Sequence, residues 1–236
     1  MASFKYLFIL YGFTFVFYNN ASFAQIEQFK CESTGLNDGK AKNLLQKTQA
    51  AYSQLDNFTA KFKQQSYLAA LEESENSSGS VYFSKPGKMR WEYATPEEQT
   101  FLVINETVWF YQKAANQLMI DIFSKLLLTD APVGFLMGLG DLVNSFELVT
   151  GCNTKAGIVL ELKEKSTDSS ESNLGKFKLL VDKKNYLPLG AQIKDVGGNL
   201  NTIVFEELKS GKSIGDEVFK VDFPKGVDVQ DRRREG

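Results

Sequence analysis

The spacing of apolar residues changes near Phe58. Before it, from Leu36 to Leu55, they recur every three or four residues, which is the spacing of one face of an amphipathic helix. The stripe consists of Ala41, Leu44, Leu45, Thr48, Tyr52 and Leu55. The opposite face has no excess of Lys and Arg, so the pattern favours a helix that packs against a sheet over one that lies on a membrane surface.

From Phe58 onward, apolar and polar residues tend to alternate, as they do in half-buried β-strands. Turn-forming pairs such as Pro86-Gly87 separate these stretches, and Glu75–Gly79 is also predicted to be a turn. The predicted strands are Phe58–Gln64, Ser80–Phe83, Met89–Tyr93, Phe101–Ile104, Val108–Tyr111, Gln117–Asp121, Phe146–Thr150, Ile158–Lys163, Phe177–Val181, Ala191–Val196, Thr202–Leu208 and Val218–Phe223. Short connections favour an antiparallel meander, and so many strands on one chain must curl or close.

One segment between these strands, Phe123–Val143, has a different character. It is strongly apolar, it contains three glycines, and Pro132 suits the first turn of a helix. We expect two short helices here. They either plug an open sheet face or form a movable lid over an apolar cavity, and the candidate lid residues are Leu127, Pro132, Phe135, Leu136 and Met137.

The first 24 residues are typical of a secretory signal peptide. Lys5 precedes an apolar run from Tyr6 to Tyr18, and the small residues Ser22 and Ala24 predict cleavage after Ala24. The apolar run is shorter than the roughly 20 residues that a helix needs to span a bilayer, which disfavours an uncleaved membrane anchor. Residues 25–236 show no break in composition and are predicted to form one exported domain.

The two cysteines, Cys31 and Cys152, are predicted to form a disulfide in an oxidising compartment. A lipid-modified Cys31 is the alternative. It is rejected because Gln28-Phe29-Lys30 lacks the small apolar residues that lipidation requires before the cysteine.

The amino-acid composition excludes several classes of function. The chain has no histidine, which removes Ser-His-Asp and Cys-His nucleophile systems and the usual zinc sites. We therefore expect no catalytic residues, no metal and no cofactor, although carboxylate, Lys or Tyr chemistry is not removed by this count. The net charge is −2, without a long basic run, so nucleic acid is not expected as a partner. Hydrophobic residues make up 43% and aromatic residues 13%, which suggests a large apolar interior or an apolar ligand.

Five stretches of the chain, taken in order, resemble the periplasmic outer-membrane lipoprotein carrier family, LolA. They are Phe58–Gln64, Gly79–Gln99, Asn105–Gln117, Asp130–Met137 and Phe219–Val229. The resemblance implies a mainly β (α+β) fold, namely an incomplete, strongly curved antiparallel β-barrel of about 11–12 strands with an N-terminal helix and a helical lid.

The same resemblance implies a monomeric carrier in the periplasm of a Gram-negative bacterium. Its cargo would be acylated lipoproteins, its donor an inner-membrane lipoprotein-release ABC transporter, and its destination an outer-membrane lipoprotein acceptor. Family members carry an arginine before the proline at position 86, which is thought to hold the lid. Here the residue is Lys85, which has fewer donors, and Arg90 is a candidate to assist it.

A carrier for acyl chains needs a concave apolar surface. Alternation places Met89, Trp91 and Tyr93 on one side of their strand, and we assign this side to the concave face. The predicted acyl-binding set is Phe62, Met89, Trp91, Tyr93, Leu102 and Ile104, together with the hairpin aromatics, of which Trp109 or Phe110 shares this face. Two alternatives remain open: these residues merely pack under the helix, or the chain is a non-transferring lipid-binding or envelope-sensing domain of the same fold.

Overall fold

The computed structural model of the protein describes residues 27–32, 35–122, 142–165 and 174–233. Two α-helices are described, α1 (Asp38–Ser53) and α2 (Leu142–Ser145), together with a 3₁₀ helix at Asp216–Phe219. The strands are β1 (Asn57–Leu68), β2 (Glu73–Ser84), β3 (Lys88–Thr95), β4 (Gln99–Ile104), β5 (Thr107–Gln112), β6 (Gln117–Ile122), β7 (Phe146–Asn153), β8 (Ile158–Glu164), β9 (Leu174–Val181), β10 (Pro188–Asp195), β11 (Leu200–Ser210) and β12 (Asp228–Asp231).

Helix α1 forms where the three-to-four spacing predicts it. Asn37 is its N-cap, and the side-chain oxygen of Asn37 accepts a hydrogen bond from the backbone N–H of Lys40 at 2.9 Å. This bond satisfies one of the backbone donors that a helix leaves free in its first turn. The predicted stripe is the buried face, with Ala41, Leu45, Thr48, Tyr52 and Leu55 all shielded from solvent.

The strands form one open, curved sheet in the order β12-β6-β5-β4-β3-β2-β1-β11-β10-β9-β8-β7. Neighbouring strands are antiparallel, so the predicted fold class is confirmed, except that β12 runs parallel to β6. A parallel pair cannot be joined by a tight turn, and here β7 to β11 lie between β6 and β12 in the sequence. The alternation of apolar and polar residues does not reveal whether two paired strands run parallel or antiparallel.

Two local predictions are wrong, and one element was missed. Glu75–Gly79 is not a turn but part of β2, because β1 and β2 pair continuously from Asn57↔Ser84 to Leu68↔Glu73. The predicted last strand, Val218–Phe223, instead begins inside the 3₁₀ helix. The short strand β12 was not predicted. In both the β1–β2 hairpin and the C-terminal segment, pairing with a neighbouring strand decides the structure, and local composition does not.

The sheet has two differently covered faces. We call the side that packs against α1 the inner face; here Leu45, Tyr52 and Leu55 join one continuous apolar core with sheet side chains such as Phe58 and Phe83. The other side is the outer face, and the ends of the described chain cover it. Burial on both faces explains why several strands are apolar without alternation.

The N-terminal segment is attached to the outer face and to the edge strand β7. The structure contains the disulfide Cys31–Cys152, whose Cα atoms are 5.6 Å apart. The side chain of Phe29 is buried in a second apolar cluster with Cys152, Val159, Leu180 and Val204. Beside the disulfide, the backbone N–H of Glu32 donates to the carbonyl of Asn153 at 2.9 Å.

The C-terminal segment covers the outer face at the opposite half of the sheet. Phe219 of the 3₁₀ helix is buried, and Asp216 accepts a 2.7 Å hydrogen bond from Lys88 on β3. Further on, β12 pairs with β6, and the backbone N–H of Arg232 donates to the carbonyl of Ile120 at 2.8 Å. The N-terminal segment thus packs on one half of the outer face, and the C-terminal segment packs on the other half.

Two of the sequence predictions lie outside the described residues. They are the signal peptide at residues 1–24 and the lid with Leu127, Pro132, Phe135, Leu136 and Met137. Within the residues that are described, no helix combines the length and the apolar character needed to cross a membrane.

Candidate functional site

The register of β1 to β5 brings a set of large apolar side chains together on the inner face. Trp91 on β3 lies opposite Phe101 on β4, and Phe101 lies opposite Phe110 on β5. Phe62 on β1 contacts the Trp91 ring at a centroid distance of 4.8 Å. We call the group that these contacts define the inner aromatic cluster. Its members are Phe62, Met89, Trp91, Tyr93, Phe101 and Phe110.

Most of the inner aromatic cluster is shielded from solvent. Phe62 is 1% exposed, and Met89, Trp91, Phe101 and Phe110 are also buried. Tyr93 is half-buried at the border of the cluster, with its ring edge-on to Phe62 at 5.0 Å. Such tilted aromatic pairs pack favourably beyond the area that they bury. The cluster is therefore a continuous apolar surface that is shielded from solvent.

Gly79 on β2 makes room for this packing. It lies opposite Phe62 on one side and Tyr93 on the other, at an irregularity in the pairing of β2 with β3. A Cβ at this position would lie 1.8 Å from the carbonyl oxygen of Glu92 and 2.8 Å from Cε1 of Phe62. Only glycine allows the backbone and the Phe62 ring to approach this closely.

A few polar groups lie at the border of the cluster. The Tyr93 hydroxyl donates a 2.9 Å hydrogen bond to Oε1 of Gln64, a glutamine that is only 2% exposed. Burial raises the pKa of the Tyr93 phenol above its ordinary value, and hydrogen bonding with Trp91 acts in the opposite direction. The phenol is therefore neutral and acts as a hydrogen-bonding group, not as an acid near neutral pH.

The structure separates the predicted acyl-binding residues into two groups. Phe62, Met89, Trp91, Tyr93 and Phe110 share the inner face. For Leu102 and Ile104, the predicted face is wrong: Leu102 lies opposite Arg90 and Trp109, and Ile104 lies opposite Lys88, all on the outer face. Of the two alternatives Trp109 and Phe110, Phe110 is the residue on the inner face.

The error has a physical cause. Leu102 is fully buried even though it points away from α1, in the half of the outer face that the C-terminal segment covers. Both faces of β4 are therefore apolar, and the run Phe101–Ile104 cannot reveal which residue faces inward. Pairing with Trp91 places Phe101 on the inner face, and pairing with Met89 places Val103 there. The sequence prediction missed both, and only the strand register identifies them.

Lys85 lies at the carbonyl end of α1. Its ammonium group donates to the backbone carbonyl of Ser53, the last residue of the helix, at 2.7 Å. The last turn of α1 has no basic residue of its own, so Lys85 supplies both a donor and a positive charge to the free carbonyls there. The predicted contact of Lys85 with a lid concerns residues outside the described part and stays a prediction.

Arg90 lies on the outer face, opposite in direction to Trp91. Its Nε donates to Glu92 at 2.6 Å and its guanidinium contacts the carbonyl of Val218 at 3.3 Å. Arg90 thus helps to hold the C-terminal segment against β3. These contacts give it a role away from the inner aromatic cluster.

The described residues contain no group of three or more His, Cys, Asp or Glu side chains that could hold a metal ion. The candidate site is instead an apolar surface with a polar border. Such a surface can bury hydrocarbon, and the groups at its border can form hydrogen bonds.

Comparisons of the sequence with known proteins identify one family. The family model described as "Outer membrane lipoprotein carrier protein LolA" matches residues 53–222. An outer-membrane lipoprotein carrier protein of Cupriavidus pinatubonensis is 30% identical over 161 residues, covering 68% of this chain and 73% of its own. One from Legionella pneumophila (strain Lens) is 28% identical over 182 residues, covering 77% of this chain and 86% of its own.

A solved structure shows the same fold. The crystal structure of an uncharacterized conserved protein from Thermus thermophilus aligns with a TM-score of 0.53 at 18% identity, covering 82% of this chain and 99% of that one. The family match begins at the end of α1, includes β1 to β11 and the 3₁₀ helix, and ends before β12. This chain therefore belongs to the outer membrane lipoprotein carrier protein family, LolA.

Proposed function

We propose that this protein is a periplasmic carrier that binds the acyl chains of lipoproteins released from the inner membrane and delivers them to an acceptor at the outer membrane. The observation that supports this most directly is the inner aromatic cluster, which offers a continuous apolar surface within a fold whose named relatives are lipoprotein carriers.

Elementary energetics explain why such a carrier is needed. A triacylated lipoprotein has on the order of 45 CH₂ groups, and each costs roughly 0.8 kcal/mol to expose to water. Passage through water without a carrier is therefore blocked by tens of kcal/mol. The carrier replaces the lost lipid contacts with side chains such as Phe62, Trp91 and Phe110.

The burial of the inner aromatic cluster implies that loading requires a rearrangement. Because Phe62 is 1% exposed, an acyl chain reaches its ring only if the elements packed over the inner face move. The chain has no histidine, so the usual titration near neutral pH does not supply the switch. Opening is instead driven by the cargo and by the partner proteins, which bind the open state better than the closed one.

Two membrane partners complete the cycle. An inner-membrane ABC transporter supplies the lipoprotein, and an outer-membrane acceptor removes it, while the carrier itself acts as a monomer exported by its signal peptide. The affinity must be high enough to hold the acyl chains but low enough to release them. The binding free energy is therefore much weaker than the limit of about −20 kcal/mol for non-covalent binding. No bond of the cargo is broken, and the protein is not an enzyme.

A reconstituted release assay tests the proposal. Residues 25–236 are added to vesicles that contain the release transporter and a triacylated lipoprotein, and ATP is supplied. We expect the lipoprotein to appear in the supernatant as a one-to-one complex with the carrier, and then to move to a second vesicle population that carries the acceptor.

The two tryptophans provide a matched pair of variants, since Trp91 lies on the inner face and Trp109 on the outer face. Trp91→Gln is expected to reduce release strongly, and Trp109→Gln to leave it near the wild-type level, with folding of both checked by circular dichroism. Lipoprotein that stays in the membrane fraction refutes the carrier function. Binding without passage to the acceptor would instead indicate a lipid-sensing domain.

A further inference from the structure

The inner face changes from apolar to polar along the direction of its strands. Beyond the inner aromatic cluster, Tyr93 on β3 lies opposite Gln99 on β4, Gln99 opposite Gln112 on β5, and Gln112 opposite Gln117 on β6. We call these four directly opposed residues the polar row. With about 4.8 Å between strands, the row is about 14 Å long.

The polar row lies immediately next to the apolar part of the face. Two residues further along the same strands, the inward side chains are Trp91, Phe101, Phe110 and Met119. Two residues correspond to about 6.8 Å along a strand. The boundary between hydrocarbon-like and polar surroundings is therefore sharp, and Trp91 and Tyr93 stand on its two sides, as aromatic residues do at a membrane–water interface.

The polar row has hydrogen-bonding capacity to spare. Gln99, Gln112 and Gln117 are all half-buried, and within the described part of the chain their side-chain amides make no hydrogen bond. Each amide offers an N–H₂ donor and a carbonyl acceptor. Behind Tyr93, Gln64 is held by the Tyr93 hydroxyl at 2.9 Å, which fixes that end of the row.

The charges near the polar row are mainly negative. Glu75 on β2 interacts electrostatically with Tyr93. Partial burial raises the pKa of the Glu75 carboxyl, and the negative charge of Glu97 raises it further. Lys113, in the turn after β5, is already paired with Glu98 at 2.7 Å. A phosphate group would meet repulsion here, whereas neutral ester and amide groups would not.

From this arrangement we infer that the polar row is the binding site for the ester and amide carbonyls that join the acyl chains of the cargo to its N-terminal cysteine. The inference rests on the proposed carrier function and adds an orientation to it. The acyl chains lie along Trp91, Phe101 and Phe110, the glyceryl esters contact the glutamine amides, and the polypeptide leaves at the end of the sheet where β3 joins β4.

The first experiment compares two soluble probes that differ only at the carbonyls. One is a short peptide with a diacylglyceryl-cysteine terminus, and the other is its dialkyl ether analogue. The double variant Gln99→Met/Gln112→Met is expected to bind the diester roughly three- to tenfold more weakly than the wild type does, because hydrogen bonds are lost, and to bind the diether unchanged. Gln46→Leu, an exposed glutamine on α1, is the control and should alter neither.

The outcomes distinguish a failure of the carrier function from a failure of the polar row as the carbonyl site. If the wild type binds neither probe, the carrier function itself fails. If it binds both and the double variant weakens both equally, or weakens neither, the carrier function stands and the polar row is refuted as the carbonyl site. An anionic diacyl phospholipid is the third probe, and tighter binding of it than of the diester would also overturn the inference.

The second experiment measures orientation without changing the polar row. Trp109→Phe leaves Trp91 as the single tryptophan, since the chain has two. Bromine atoms placed on the acyl chain near the ester should quench Trp91 fluorescence more strongly than bromines near the terminal methyl group. The opposite order would mean that the chains lie reversed, with the polypeptide leaving at the other end.

Discussion

Gly79 is the position where one added methyl group should disturb the inner face most directly. In Gly79→Ala, the new Cβ would lie 1.8 Å from the backbone oxygen of Glu92. Side-chain rotation cannot relieve this contact, because both atoms are fixed by the backbones of paired strands. The strands must move apart by at least about 1 Å, which breaks ladder hydrogen bonds near the neighbouring Tyr93.

The size of the effect follows from three contributions. Overpacking costs about 1–3 kcal/mol, and one weakened ladder hydrogen bond costs about 1 kcal/mol more. Replacing glycine restricts the unfolded chain and returns about 0.5–1 kcal/mol. We therefore expect Gly79→Ala to lower the free energy of unfolding by about 2–3 kcal/mol, which corresponds to a fall in Tm of roughly 4–12 °C for a domain of this size.

Urea unfolding followed by far-UV circular dichroism measures this change, and Gly39→Ala is its matched control. Gly39 lies in the first turn of α1, where the nearest atom to an added Cβ is 3.8 Å away. This control should stabilise the protein by about 0.5–1 kcal/mol. If both variants shift stability in the same direction, or if Gly79→Ala costs less than about 0.5 kcal/mol, the reasoning from close backbone approach is refuted.

Three further predictions concern stability. Reducing the Cys31–Cys152 disulfide, whose cysteines are 121 residues apart, should cost about 3–5 kcal/mol; urea curves with and without reductant measure it, and a loss below about 1 kcal/mol would contradict it. Lys85→Met should destabilise α1 by about 0.5–1.5 kcal/mol and Lys85→Arg by less, so thermal melts that show equal losses would argue against a role in capping. Phe62→Ala should cost about 3–5 kcal/mol and Phe62→Leu clearly less, as judged by chemical denaturation; similar values would show that the site collapses to fill the cavity.

The fold could be predicted from the sequence wherever a segment has one buried face. In α1 the stripe from Ala41 to Leu55 is the buried side, and most strands lie close to their predicted positions. Prediction failed for β12 and for the polar end of β2, because pairing between strands decides their structure. Local periodicity reports burial, and it contains nothing about a partner strand that is distant in sequence.

The candidate site could be predicted only in part, for the same reason. Met89, Trp91 and Tyr93 alternate with polar residues, so their common face was evident. Phe101–Ile104 is apolar throughout, and only its register with β3 shows that Leu102 faces away from α1. The polar row could not have been found either, because Gln99, Gln112 and Gln117 come together only when β4, β5 and β6 pair.

The segment that follows Cys31 shields one edge of the sheet from pairing with another chain. An open sheet has two edges, and an exposed edge strand can pair with another chain and start aggregation. At the β7 edge, the backbone N–H groups of Glu32 and Leu36 already occupy the carbonyls of Asn153 and Gly151. At the other edge, β12 has only four residues. The proposed loading step uncovers the apolar inner face, and self-association is the greatest risk at that moment. Shielded edges offer no template for another strand while the face is uncovered.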